Sequence, residues 1–213
     1  MDEPFLMIAK SSATEVVIKK SRFICSIARA TSDEEAQEFI KKIQDENRKA
    51  THNCFAYMVG DKDQIQRESD NGEPSGTAGV PILESLKMAN LHNVVAVVTR
   101  YFGGIKLGAG GLIRAYSNTT TEAIRDAGII QRVSQLKLDV TVSYSLHDSF
   151  VYYLNEEQIA IDGEQYGVNV ITSIFVNEDE ADQVIANLTT RFNDQLTIEK
   201  AGTHFHEIAY QPE

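Results

Sequence analysis

The chain of 213 residues contains only two cysteines, Cys25 and Cys54. Two thiols make neither a disulfide framework nor a cysteine metal cluster. No apolar run approaches the roughly 20 residues that a bilayer span requires, so no membrane partner is expected. The acidic start, Met1-Asp2-Glu3-Pro4, lacks the basic segment and apolar run of a secretory leader, and the cytoplasm is the expected compartment. The dinucleotide fingerprint G-x-G-x-x-G and the phosphate loop G-x-x-x-x-G-K-[ST] are both missing, and no cofactor is expected. Internal repeats and low-complexity segments are absent.

Basic residues are scarce in one half. Residues 1–132 hold 17 Lys+Arg and 17 Asp+Glu, whereas residues 133–213 hold 3 and 14. The whole net charge of −11 therefore sits in the second half. The asymmetry predicts two domains, 1–132 and 133–213. Phosphate would be repelled by the second, which suits a basic protein surface better than nucleic acid. The first remains free to carry a local basic patch.

What the first half does have is glycine beside cations. Val94–Val98 is an unbroken apolar run rich in β-branched residues, which predicts a strand covered on both faces. A loop follows with Gly103, Gly104, Gly108, Gly110 and Gly111 around Lys106, flanked by Arg100 and Arg114. A helix starting near Gly110 would aim free N–H groups and its positive dipole end at the same place. The loop is therefore expected to hold an anionic group. Tyr101 and Phe102 beside the cations add the aromatic component of single-strand binding. Tyr116 reads equally well as core.

Hydrophobic periodicity supplies the rest of the first half. Residues 14–19 and 22–29 read as a hairpin turning at Lys20-Ser21. Ser32 with Glu35 forms a capping box ahead of a helix that buries Ala36, Phe39, Ile40 and Ile43. Asn53–Val59 reads as a strand. Gly60–Gly79 reads as one long polar loop, and a helix follows with Pro81 in its first turn. The last helix of this half stops at Gly128.

From Gln135 the pattern is strand (136–144), helix (146–157), strand (160–166), strand (168–176), helix (178–192). It ends in two extended segments, 196–199 and 204–210. The order β-α-β-β-α-β predicts a ferredoxin-like fold. The whole chain is expected to be α+β with two domains.

The Asp70–Gly79 loop is the second candidate surface. Asp70 and Glu73 could bind a cation or act as acid and base. Ser75 and Thr77 offer donors to phosphate, and Asn71 belongs to the same facing loop. The plainer reading is a solvated turn of ordinary turn residues. Two carboxylates are too few for a metal cage, so no metal site is expected. His52 and Cys54 share a strand face, but a nucleophile pair needs a third, orienting group, and such a cysteine is commonly a small buried apolar residue. His204 and His206 share a face without further ligands. No catalytic residue is assigned.

Three blocks carry a resemblance to a known family. They are Lys49–Tyr57 (K-A-T-H-N-C-F-A-Y), Asp70–Gly79 (D-N-G-E-P-S-G-T-A-G) and Arg100–Tyr116 (R-Y-F-G-G-I-K-L-G-A-G-G-L-I-R-A-Y). In this order and spacing they resemble the IMPACT family, in particular its bacterial YigZ-type members. The resemblance covers about residues 1–130, and the second half is similar to the small C-terminal domain of the bacterial members. It implies a first domain of the β-α-β type of a small-subunit ribosomal protein and of elongation factor G domain four. It also implies a second domain similar to elongation factor G domain five. Eukaryotic relatives regulate translation through the amino-acid-starvation kinase pathway by an extra N-terminal domain. No counterpart of that domain is expected here, and that role is not transferred.

Together these readings predict a protein that binds RNA or the ribosome and modulates translation, without DNA sequence specificity. Arg100, Lys106 and Arg114 would meet phosphate, the glycines would allow close approach, and Asp70–Thr77 would form the opposite wall. The alternative is an enzyme or sensor for a small phosphorylated metabolite, as some kinases of the GHMP type place a glycine loop at a helix start on a comparable fold.

Overall fold

The computed structural model describes residues 5–60 and 62–210. The chain divides into two units, Phe5–Gln131 and Arg132–Glu207. After β1 (Phe5–Ile8) come β2 (Ser12–Ile18), β3 (Ser21–Arg29), α1 (Asp33–Glu46), β4 (His52–Val59), β5 (Ile65–Ser69), α2 (Gly79–Met88), β6 (Val94–Tyr101) and α3 (Ala109–Ala127). Five of these strands form an antiparallel sheet in the order β2-β3-β6-β4-β5.

Strand β6 lies at the centre, and Val94 to Val98 are fully buried, as the apolar run predicts. Alternation sends Val94, Ala96 and Val98 into one core with Ile82, Leu86, Leu112 and Tyr116 of α2 and α3. Val95 and Val97 face the opposite core with Ala36, Ile40 and Ile43 of α1. The same alternation continues to Arg100, which belongs to the α3 face, and to Tyr101, which does not.

Local chemistry places the elements. The β2–β3 turn holds Lys19 and Lys20 at φ 45° and 66°, the pair of positive angles that a tight type I′ turn needs. Ser32 caps α1 by accepting the Glu35 N–H at 3.2 Å, while the Glu35 carboxylate closes on the N–H and hydroxyl of Thr31. At α2 the cap residue, Ala78, has no side-chain acceptor. Asp70 supplies one from upstream, accepting the N–H groups of Gly76, Ala78 and Gly79 at 2.7–2.9 Å. The loop is thereby pinned to the helix it precedes.

The second unit continues through β7 (Ile129–Val142), α4 (Tyr144–Glu156), β8 (Ile161–Tyr166), β9 (Val170–Asn177), α5 (Ala181–Arg191) and β10 (Thr197–Ala209). Its strands lie in the order β10-β7-β9-β8. Taken in chain order within the unit, this is the 4-1-3-2 arrangement of a ferredoxin-like split β-α-β. Leu138, Val140, Phe150, Leu154, Ile174 and Leu188 are its fully buried centre.

Three sequence readings are corrected. The polar loop 60–79 contains β5, whose I-Q-R-E-S sequence survives as a strand because it lies on the sheet edge with three of five side chains exposed. Strand β7 starts at Ile129, directly after the α3 terminus, not at 136. The two C-terminal extended segments are one strand, β10, running through Gly202.

Candidate functional site

A row of side chains crosses the α3 face of the first sheet. Strand register sets Phe23 of β3 and His52 of β4 directly opposite Arg100 of β6. Facing residues on neighbouring strands share a side of the sheet, so the three stand in line. The Arg100 guanidinium lies 5.2 Å from the centre of the Phe23 ring and 5.4 Å from that of Phe102.

Above this row is a cleft of about 410 Å³. His52 and Arg100 line it from the sheet. Glu73 and Pro74 come from the β5–α2 loop, and Lys106 to Ala109 from the glycine loop at the start of α3. The loop 70–79 therefore does face the glycine loop, but with one carboxylate rather than two.

That carboxylate is Glu73. Its side chain is 3% exposed and pairs with Arg100, itself 6% exposed, at 2.5 Å through Oε1. The Tyr116 hydroxyl donates to the same oxygen at 3.0 Å. Oε2 lies 3.8 Å from His52 Nε2. The His52 ring is held from its other side, where Nδ1 is 2.9 Å from the Asn71 carbonyl. Two charges removed from water need this density of partners. Arg100 Nε remains buried without one among the described residues.

The remaining side chains of the facing loop are turned to its own fold. Asp70 is taken up by backbone donors of the loop and of α2. Burial raises its pKa, but the N–H groups of Gly76, Gly79, Ala78 and Thr77 lower it further, and the net shift is downward. Asn71 Oδ1 accepts from the Asn53 N–H at 3.0 Å, and the Thr77 hydroxyl donates to the Pro74 carbonyl at 2.6 Å. Ser75 is exposed. Cys54 does not pair with His52. Its thiol donates to the Asp70 carbonyl at 2.9 Å and lies 3.4 Å from the Tyr116 hydroxyl. Burial pushes its pKa up to about 12, which leaves it protonated and poorly nucleophilic near neutrality. Burial likewise raises that of Tyr116, helped by Cys54 and Glu73. Among the described residues no group of three His, Cys, Asp or Glu could hold a metal ion.

The glycines of the loop divide by role. A Cβ on Gly103 would fall 2.0 Å from the Lys20 carbonyl, so this one serves close packing between the loop and the β2–β3 turn. Gly104 and Gly108 have φ of 83° and 73° with open space above them. Gly108 caps α3 without a side chain. The N–H groups of Ala109, Gly110 and Gly111 have no protein acceptor among the described residues, and the first bond of the helix runs from Leu112 to Gly108. A Cβ on Gly111 would sit 3.1 Å from that of Leu107.

Lys106 is exposed on the cleft wall and makes no hydrogen bond or ion pair among the described residues. Arg114 lines a neighbouring depression of about 250 Å³ with Lys19, and Leu107 borders both hollows. One Arg114 Nη lies 3.9 Å from where a Gly110 Cβ would stand, so the guanidinium lies alongside the first turn of α3. Tyr101 is not part of this surface. Its hydroxyl donates to Asn47 Oδ1 at 2.9 Å, beside the C-terminus of α1.

Sequence reasoning named most of these residues but did not pair Glu73 with Arg100 or seat His52 in the cleft. The alternation of β6 alone would have separated Arg100 from Tyr101. The Glu73 pairing carries no sequence signal, because the partners lie 27 residues apart on different elements.

Comparisons with known proteins place the chain. Residues 19–124 match the Impact N-terminal domain, and residues 140–195 match a domain of unknown function, DUF1949. IMPACT family member YvyE of Bacillus subtilis is 42% identical over 95% of this chain and 97% of its own. IMPACT family member YigZ of Escherichia coli is 41% identical over 58% of this chain and 61% of its own. The rabbit protein IMPACT is 34% identical over 42% of this chain and 29% of its own. A crystal structure described as that of a hypothetical protein aligns over the full length of both chains, with a TM-score of 0.60 and 28% identity. No helix among the described residues is long and apolar enough to cross a membrane. With both domain models matched in order and a full-length relative at 42% identity, the chain belongs to the IMPACT family.

Proposed function

We propose that the first unit binds RNA, free or within the ribosome, and that the protein modulates translation through this contact. One observation carries the reading: the two hollows that meet at Leu107 present Lys106, Lys19 and Arg114, none with a protein partner among the described residues, around the open N–H groups of α3. Three free cations spread along a surface suit a chain of phosphates better than one small anion. Phe102, 46% exposed at the cleft mouth, offers a face for a base. The acidic second unit would keep away from phosphate and is suited to a basic protein surface.

Filter binding of the full chain to structured RNA and to ribosomes tests this. Single-stranded contacts release about 0.7 counterions per phosphate. Three contacts therefore predict a slope of log affinity against log salt of roughly −2. Lys106→Ala is expected to weaken binding and make the slope shallower by about 0.7. Absence of binding at low salt overturns the reading.

A second reading has its own support. The cleft volume falls within the usual range for small ligands, and its floor is a buried polar network. A phosphorylated metabolite at about 100 times its Kd would stabilise the fold by about 2.7 kcal/mol, which a thermal-shift screen detects.

A further inference from the structure

Two acceptor atoms in the cleft have no donor among the described residues. Glu73 Oε1 receives Arg100 and Tyr116, but Oε2 accepts no hydrogen bond among the described residues, with His52 Nε2 3.8 Å away, too far for one. On His52, the atom facing the Asn71 carbonyl must carry the ring proton, because a carbonyl only accepts. In the neutral ring, Nε2 then carries a lone pair, 3.8 Å from Glu73 Oε2. Arg100 offsets the Glu73 charge, so Lys106 and the α3 N-terminus still make the cleft attractive to an anion.

A phosphate oxygen would find no donor at Glu73 Oε2 or His52 Nε2, only repulsion. A hydroxyl would find an acceptor for its one proton. The complementary ligand therefore carries both a phosphate and an O–H group within the span of one cleft. The 3′-phosphate and 2′-hydroxyl of ribose are such a pair, and DNA lacks the second member. We infer that His52 Nε2 accepts the proton of the ribose 2′-hydroxyl, with the Glu73 carboxylate beside it disfavouring phosphate at that place, and that this makes the cleft selective for RNA over DNA. This inference rests on the RNA-binding reading and adds to it the group that is recognised.

The test uses the full chain and three single-stranded oligonucleotides of one sequence: RNA, DNA and 2′-O-methyl RNA, at one salt concentration. RNA is expected to bind roughly tenfold or more tightly than either analogue, the scale of one hydrogen bond to a charged or buried partner. His52→Ala is expected to bring RNA affinity down to the level of DNA affinity, with circular dichroism confirming the fold. The oligonucleotide series on the unaltered protein decides the matter even if that variant misfolds. Equal affinity for RNA and DNA overturns the inference and leaves phosphate binding in place. Equal affinity for RNA and 2′-O-methyl RNA also overturns it, since shape rather than hydroxyl donation would then be read. If no oligonucleotide binds at low salt, both this inference and the proposed function fall.

Discussion

Glu73 and Arg100 are each a liability without the other. Side chains at 3% and 6% exposure have little access to water that could replace a lost partner. Glu73→Gln or Glu73→Ala is therefore expected to cost about 3–5 kcal/mol, read from urea unfolding. The double change Glu73→Leu with Arg100→Met is expected to cost much less than either single loss, because no charge then stays buried. Asp70 behaves differently. Its carboxylate is held below the ordinary value of 3.8 by the loop's N–H groups, against the upward pull of burial. A carboxylate with a lowered folded-state pKa adds stability that is complete above its unfolded value and lost as pH falls through the folded one. The unfolding midpoint is expected to drop as pH falls below about 4, and Asp70→Asn should flatten that decline while lowering stability at neutral pH. The sequence showed Asp70 and Glu73 as a pair of candidate acids in one turn. Only the fold reveals that one caps a helix and the other balances a guanidinium, because those roles depend on partners distant in sequence.

At the scale of elements, α3 shows how a glycine-rich stretch can be read. Gly108 and Gly128 bound the helix with nearly the same backbone, φ 73° and ψ 166° at one end, φ 71° and ψ 162° at the other. That region is essentially open to glycine alone. Gly108→Ala is expected to cost about 1–3 kcal/mol in thermal or urea unfolding. It should also weaken RNA binding, since the turn that opens the first N–H groups would distort. The start and stop of α3 were legible because these glycines punctuate a helical pattern, and β6 was legible from its apolar run. Strand β5 was not, since an edge strand with polar side chains looks like loop until its neighbour β4 is in place. The early start of β7 was hidden for a related reason. Ile129 to Arg132 are only partly buried and follow a helix-ending glycine without pause, so no composition change marks them.

Charge is the property of the whole molecule that no single element explains. The second half supplies the entire net charge of −11, and two partners of opposite sign would feel it in opposite ways. Free RNA would be repelled by that half and held only by the basic hollows of the first. A basic protein surface on the ribosome would be drawn to it. Replacing exposed Asp148, Glu157 and Asp179 with lysine changes the charge by six units while leaving the buried core of the second unit untouched. Affinity for free RNA is expected to rise at low salt, with a steeper salt slope, because new cations add phosphate contacts. Cosedimentation with ribosomes is expected to fall if the acidic half docks on basic protein, since like charges at an interface cost affinity and slow association. The two measurements moving in opposite directions would assign phosphate to the first half and protein to the second. A parallel rise in both would place all binding on RNA and leave the acidic half with no docking role.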